Sequence, residues 1–443
     1  MRVIVLIFLL LAKNADGQGD KSKEVEKRCA DICAEVEKFL GGKFDKPVPV
    51  SFRNAEFFRK LSLETMREET PDEEMKVIRL IWERFRLLPK DFDLENRLAD
   101  YMASQVVGLY DPGSKQFYIS DRLRDLDSAE FTTTAAHELI HAYRDVHTDF
   151  WQRTLALSNV DEDWASAVRC LVEGEATLLG FGLGGALKAQ GDADEFTRVY
   201  AGMLKRRGAM AAGVFIPDMP LAIQRLFLVA YEDGSVFAAH VYAEGGVDAI
   251  AKAYKNPPRS MEQIFHPEKY LGPEIDEPTV FVGGDPSHHL GKGWTIRRRG
   301  TLGELDMRVL FEQHLGRERA HKVGEGWDGI RYHFCMHEDG RSFIGLVSTW
   351  DSENDAEEFA DAWRDWALKR DDTNKALAIP GGYETVLVRA VKTKEGIVAV
   401  RRKGRDVIVA DGTTVEAMVG VLKALGVNER RERRADEKPP AGE

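Results

Sequence analysis

His137, Glu138 and His141 stand in one run, Ala136-His137-Glu138-Leu139-Ile140-His141-Ala142, among residues that favour helix. Histidines four positions apart lie about one turn from each other on one helix face, so both imidazoles can reach a single ion. Glu138 comes directly after the first of them and projects beside that ion, where its carboxylate can take a proton from an activated water. The chemistry on offer is metal-assisted hydrolysis. An H-E-x-x-H also arises by chance on amphipathic helices, so residues further along the chain decide.

Two imidazoles do not complete a catalytic zinc site, which takes three protein ligands and leaves a position for water. The candidate third ligand for Zn²⁺ is Glu173, 32 positions beyond His141, in Cys170-Leu171-Val172-Glu173-Gly174-Glu175-Ala176-Thr177. That run predicts an apolar helix entered from a capping region at Ser158 and Asp161. Glu173 and Glu175 are separated by roughly 200° around a helix, so only one of them can face the metal. Glu173 is assigned that place; the alternative is a solvated acid on the helix face. Gly174 in a helix interior costs about 1 kcal/mol relative to alanine, and a close approach to the zinc helix would justify it.

Three more residues are candidates for supporting roles. Asp145 is four beyond His141 on the same face, placed to accept the distal N–H of that imidazole; its alternative is an exposed acid paired with a surface base. Tyr231 and His266 can each donate a hydrogen bond to the oxygen charge that develops during acyl transfer. Their ordinary alternative is a buried polar group satisfied locally.

With these residues in place, the chain resembles known proteins. E-G-x-A, here Glu173, Gly174 and Ala176, is similar to the third-ligand helix of gluzincin metallopeptidases, and His137 to Asp145 resembles the thermolysin-like zinc helix. A closer resemblance is to a family of uncharacterised, exported bacterial proteins with a gluzincin-like catalytic domain. It rests on three blocks in order: His137 to Phe150, Cys170 to Thr177, and Pro257-Pro258-Arg259-Ser260-Met261-Glu262-Gln263-Ile264-Phe265-His266-Pro267-Glu268-Lys269-Tyr270. The chain departs from that pattern at Tyr143-Arg144-Asp145-Val146, where L-Q-D-Q is usual, and at Glu175, where aspartate is common. The resemblance implies an α+β fold: a mostly helical gluzincin-like domain with a small N-terminal sheet, the zinc helix and a helical lower half, then a C-terminal α+β domain. It implies a zinc metallopeptidase acting on protein or peptide and supplies no particular substrate.

The elements that must position these residues can be read in turn. Lys21 to Leu40 predicts a helix ending at Gly41-Gly42, and Pro47 to Phe52 a strand. Asn54 to Glu69 and Pro71 to Leu88 predict helices capped by Asn54 and Thr70. A hairpin comes next, Ser104–Tyr110 and Gln116–Ser120 around Asp111-Pro112-Gly113-Ser114. A strand there can pair with an extended substrate by strand addition. Helices are expected over Leu157–Leu187, Asp192–Arg206, Pro217–Val229 and from Tyr231 to Gly245. Beyond a linker at 273–300, the region 301–427 predicts helices at Leu302–Lys322, Asp355–Arg370 and Val415–Leu425. Its strands are expected at Ile330–His337, Ser342–Thr349, Thr385–Lys392, Gly396–Arg402 and Asp406–Ala410. Trp350, Trp363 and Trp366 are expected in its core, and 428–443 as a charged, disordered tail.

At 443 residues the chain is long enough for two or three domains, here 21–272 and 301–427. Its net charge of −12 argues against nucleic acid and anionic membrane surfaces as partners. Residues 1–17 read as a signal peptide: Met1-Arg2, an apolar run from Val3 to Ala12, and small residues near Ala15 and Gly17. The run is shorter than the roughly 20 residues of a membrane span, so export to the periplasm or medium is expected, without stable membrane insertion after cleavage; an uncleaved anchor is the alternative. Cys29, Cys33, Cys170 and Cys335 permit disulfides in an exported chain, and the pairing and oligomeric state stay open. The rival to an enzyme is a non-catalytic zinc module with a C-terminal binding domain.

Overall fold

Val25, Cys29, Ile32 and Val36 recur at helical spacing and all four are buried, which fixes the first helix, α1 (Ser22–Leu40). It stops where Gly41 takes a φ of +80°. A computed structural model describes residues 22–148, 150–158, 161–207, 219–378, 389–426 and 428–432. The expected signal peptide, Asp149, and residues 433–443 of the expected tail lie outside them, as does the first half, 385–388, of the strand expected at Thr385–Lys392.

β1 (Val50–Arg53) leads into α2 (Ala55–Glu69), where the Asn54 side chain accepts from the Phe57 N–H at 3.0 Å. α3 (Asp72–Arg84) ends four residues earlier than expected, and Arg86 just beyond it adopts a φ of +60°. Thr70, expected to cap it, instead closes α2 through its N–H on the Met66 carbonyl. α4 (Leu94–Gln105), capped by Asp93, fills a stretch to which the sequence pattern assigned no helix. β2 (Gly108–Asp111) and β3 (Gln116–Ser120) form the expected hairpin; β1 pairs parallel to β3, giving the order β1-β3-β2 with β2 at an edge.

Two helices carry the candidate metal ligands, α5 (Ala129–His147) and, after α6 (Phe150–Ser158), the long α7 (Glu162–Ala189). The single helix expected from Leu157 is thus split, with Asp161 capping α7 by accepting from the Trp164 N–H at 3.1 Å. α8 (Ala193–Arg207) and α9 (Leu221–Ala243) pack on α7. α9 is continuous, where two helices were expected either side of Ala230. α10 (Gly246–Lys255), α11 (Met261–Phe265) and α12 (Pro267–Leu271) complete this half.

Glycines let α7 sit at the centre. A Cβ on Gly180 would come within 3.2 Å of the His137 backbone, and one on Gly184 within 2.5 Å of the Thr133 hydroxyl, both on α5. Gly174 serves a different neighbour from the one expected. A Cβ there would overlap the Gly234 carbonyl of α9, not α5, and one on Gly234 would lie 2.5 Å from the Cys170 carbonyl. α7 is long and apolar enough to cross a membrane by length and composition, yet 78% of its apolar window is buried by its neighbours.

The expected linker is largely structured. It holds β4 (Thr279–Gly283), α13 (Ser287–Leu290) and most of β5 (Trp294–Thr301). α14 (Glu304–Leu315) and α15 (Arg317–Gly324) replace one expected helix, parted at Gly316 with φ +82°. The chain continues through β6 (Trp327–His337), β7 (Ser342–Trp350), α16 (Glu353–Lys369), β8 (Lys375–Ala376), β9 (Arg389–Thr393), β10 (Gly396–Lys403), β11 (Asp406–Thr413) and α17 (Val415–Gly426). The sheet is antiparallel throughout in the order β5-β6-β7-β11-β10-β9-β8. β12 (Asn428–Glu432), expected to belong to the disordered tail, pairs with β4.

The architecture is therefore α+β, mostly helical in its N-terminal half and mixed in its C-terminal region. Trp350, Trp363 and Trp366 are fully buried on one sheet face, as expected. Phe85 from the helical half packs edge-on against Trp363, so one core runs through both halves. A second core, including Phe343 and Leu422, lies between the other face and α17. All four cysteines are free thiols.

Candidate metal centre

α5 is enclosed along the stretch that carries the two histidines. Ser128 caps α5 by accepting from the Phe131 N–H at 3.0 Å, and residues 134–144 are all buried. His137 and His141 are both buried within it.

The structure brings His137, His141 and Glu173 together. The two Nε2 atoms stand 3.0 Å apart, and the Glu173 Oε2 lies 3.4 Å from the first and 3.5 Å from the second. Ligands about 2.0–2.1 Å from a tetrahedral ion stand about 3.3 Å from one another, so this triangle has the size of one face of such a site. Both Glu173 carboxylate oxygens are buried without a hydrogen-bond partner among the described residues, the imidazoles being too distant for well-formed bonds. An orphaned, fully buried carboxylate facing two imidazole nitrogens is a donor set that fits a divalent cation. Burial opposes the charge on Glu173, yet the two imidazoles hold its carboxyl well below the usual range.

Glu138 is placed from across the cleft wall. Its Oε2 accepts the Tyr110 backbone N–H of β2 at 2.8 Å. Burial pushes its pKa up to about 8, against the lowering influence of His137 and of that N–H. Tyr110 grips α5 a second time, donating its phenolic O–H to Asp145 Oδ2 at 2.7 Å, and Lys115 reaches the same oxygen at 2.6 Å. Asp145 is thus held by Tyr110 and Lys115 through one of its two oxygens. Glu138 and Asp145 are seven apart, two turns on one face, so the β2–β3 hairpin lies along α5.

The remaining sequence candidates separate. Tyr231, on α9, stacks on the His137 ring with centroids 6.3 Å apart and planes at 22°. His266 sits between α11 and α12, with its Nε2 3.2 Å from Glu304 Oε2, and its pKa is raised by that contact. It belongs to the join with the C-terminal region and is not brought to the triad.

Sequence reasoning missed Tyr110 and Lys115, whose roles depend on hairpin register, and the partnership of Arg144 with Glu175. Those two meet between α5 and α7, with Tyr254 under the guanidinium at 4.7 Å. A second acidic cluster, Glu262, Asp276 and Asp351, also has the spacing of a cation site. Its centre is taken by the Lys269 ammonium, 2.6, 2.9 and 2.7 Å from the three carboxylates.

Comparison with known proteins adds a domain and one distant structure. Residues 294–422 match a family described as "Domain of unknown function (DUF8575)". No curated protein matches the chain. A crystal structure of a "putative hydrolase with a novel fold" from Chloroflexus aurantiacus is similar at 16% identity, over 57% of this chain and 91% of that one, with a TM-score of 0.32.

Proposed function

We propose that the protein is a zinc-dependent metallopeptidase that hydrolyses peptide bonds in a protein or peptide substrate. The observation that carries this reading is the buried triangle of His137, His141 and Glu173 with the Glu138 carboxylate beside it. A divalent ion held by the triad would polarise a carbonyl and acidify a water. Glu138 takes the proton of the attacking water and hands it to the leaving nitrogen. The Tyr110 N–H keeps that carboxylate aimed while it changes charge. Tyr231, against His137, is the donor for the developing oxyanion. β2 lies at the edge of its sheet, and the part of that edge beside the Tyr110 N–H, which Glu138 occupies, would offer an extended peptide a strand on which to align. The basic start and apolar run within residues 1–17 support export as the setting.

The second reading is a zinc module without catalysis. It is favoured by the depth of the site: His137, His141 and Glu138 are only 6%, 2% and 2% exposed. Metal content and cleavage of unfolded casein by the full-length protein, before and after chelation, separate the two. The peptidase reading expects about one zinc per chain, cleavage that disappears with chelator and returns with zinc, and loss of zinc in Glu173→Ala. It further expects Glu138→Gln to keep the metal and lose activity by about 10²-fold or more. Bound zinc with no cleavage by the wild type establishes the module. A Glu138→Gln protein as fast as wild type refutes the mechanism.

A further inference from the structure

Away from the triad, a cavity of about 800 Å³ opens between the end of α3, the start of α9, the end of α14 and the C-terminal sheet. That is within the size range of small-molecule sites. Three guanidinium groups line it, Arg84, Arg86 and Arg370, with Glu395 among them. Behind the wall, Arg370 holds Asp411 through two bonds of 2.6 and 3.0 Å, and Arg84 reaches the same carboxylate at 2.5 Å. Glu395 is shared, 2.7 Å from Arg86 and 3.8–3.9 Å from Arg84 and Arg370. Three cations against two carboxylates leave one positive charge over, and the further lining residues Lys90 and Glu83 cancel.

Three side-chain nitrogens of the lining residues also stand without partners: the Nε atoms of Arg84 and Arg370 and the Nε2 of His314 are buried with no hydrogen-bond partner among the described residues. Burial together with Arg86, Lys369 and Arg370 lowers the His314 pKa, which keeps its ring neutral and able to donate. Leu80, Leu87, Met219 and Leu221 give the cavity an apolar stretch of wall, and Gln313 and Ser342 add uncharged polar groups. Leu80 is a leucine left 39% exposed.

We propose that this cavity binds a small organic monoanion, an aliphatic carboxylate, with its head group at the arginine cluster and its chain on the leucines. One carboxylate neutralises the single surplus charge, whereas a phosphate dianion would overshoot it. A carboxylate also matches the planar fork of a guanidinium. Because the walls come from both the helical half and the C-terminal sheet, the ligand would clasp the two together.

The test uses the full-length protein and hexanoate, by calorimetric titration and thermal melting at constant ionic strength. Hexan-1-ol, acetate and inorganic phosphate serve as comparators. Hexanoate is expected to raise the melting temperature and to bind at least about tenfold more tightly than any comparator, and Arg86→Ala to weaken it by about tenfold. Should Arg86→Ala melt early, Lys90→Glu at the rim carries the same expectation. Equal binding of hexan-1-ol would reveal an apolar crevice, and equal binding of acetate or phosphate unspecific charge. Either result overturns the proposal, as does unchanged hexanoate affinity in a folded variant.

Discussion

Arg144 and Glu175 form a buried ion pair between the two helices that carry the metal ligands, with the arginine Nε 3.0 and 2.9 Å from the two carboxylate oxygens. Their side chains are 7% and 0% exposed. Arg144 is three residues past His141 and Glu175 two past Glu173, so the pair sets how far α5 stands from α7 where the ligands converge. Removing one partner strands the other charge in the core. Arg144→Ala and Glu175→Ala should each lower stability by about 3–5 kcal/mol in urea unfolding. The double variant Arg144→Met/Glu175→Leu should lose much less than the sum of the two. A double variant as unstable as that sum would show that the residues act separately.

The crossing of α7 and α9 gives a second, opposite pair of outcomes. A methyl group at Gly174 has no room against the Gly234 carbonyl, whose backbone cannot swing aside. Gly174→Ala should therefore destabilise by about 1–3 kcal/mol or more. Gly202, within α8, would place its Cβ 3.5 Å from the Arg206 guanidinium, an ordinary contact. Gly202→Ala should stabilise by about 0.5–1 kcal/mol through helix propensity alone. Thermal melting of both variants checks the contrast.

How much of the site was legible in the sequence depends on the range of the interactions. The triad was readable because its ligands sit at spacings that helix geometry converts into a common direction, and the Glu173 helix is marked by its own residues. Arg144 and Glu175 are two of the residues at which the chain departs from the resembled family pattern, and each is legible alone. That they are each other's partner is a contact between helices, which no local spacing encodes. The partners of Asp145 were hidden for a related reason: Tyr110 and Lys115 arrive from a hairpin whose register is tertiary. Gly174 signalled a close approach without naming the neighbour. The expected linker at 273–300 looked irregular for its glycine, proline and acids, yet β5 is held there by pairing with β6.

Asp233 supplies a pH dependence outside the metal site. Burial pushes its pKa up from 3.8 to about 6; Arg308 and Arg317 lower it only in part, and Glu232 and Glu304 raise it. Between those two pH values the folded protein keeps a proton that the unfolded chain has released, so stability from this group falls as pH rises through the window. Asp233→Asn removes the effect. The variant should gain on the wild type steadily from pH 4 to pH 6 and hold a constant lead above it, as read from urea midpoints at each pH. A constant difference across the whole range would mean that Asp233 does not titrate there.

Lys269 turns a cation site into a structural joint. Its ammonium occupies the centre of Glu262, Asp276 and Asp351, and the last of these lies in the C-terminal region, so the lysine ties the two halves. Glu262 is nearly fully buried and its pKa is well raised by burial despite the lysine. Without Lys269 the three acids repel one another around a space of the right size for a hard cation with oxygen ligands. Lys269→Ala should therefore melt several degrees below wild type, since about 1 kcal/mol corresponds to roughly 2–4 °C in larger domains. Millimolar calcium should recover part of the loss in the variant and leave the wild type unchanged. Equal calcium response in both proteins would place the ion elsewhere, and no response in the variant would mean that the acids relax apart once the ammonium is gone.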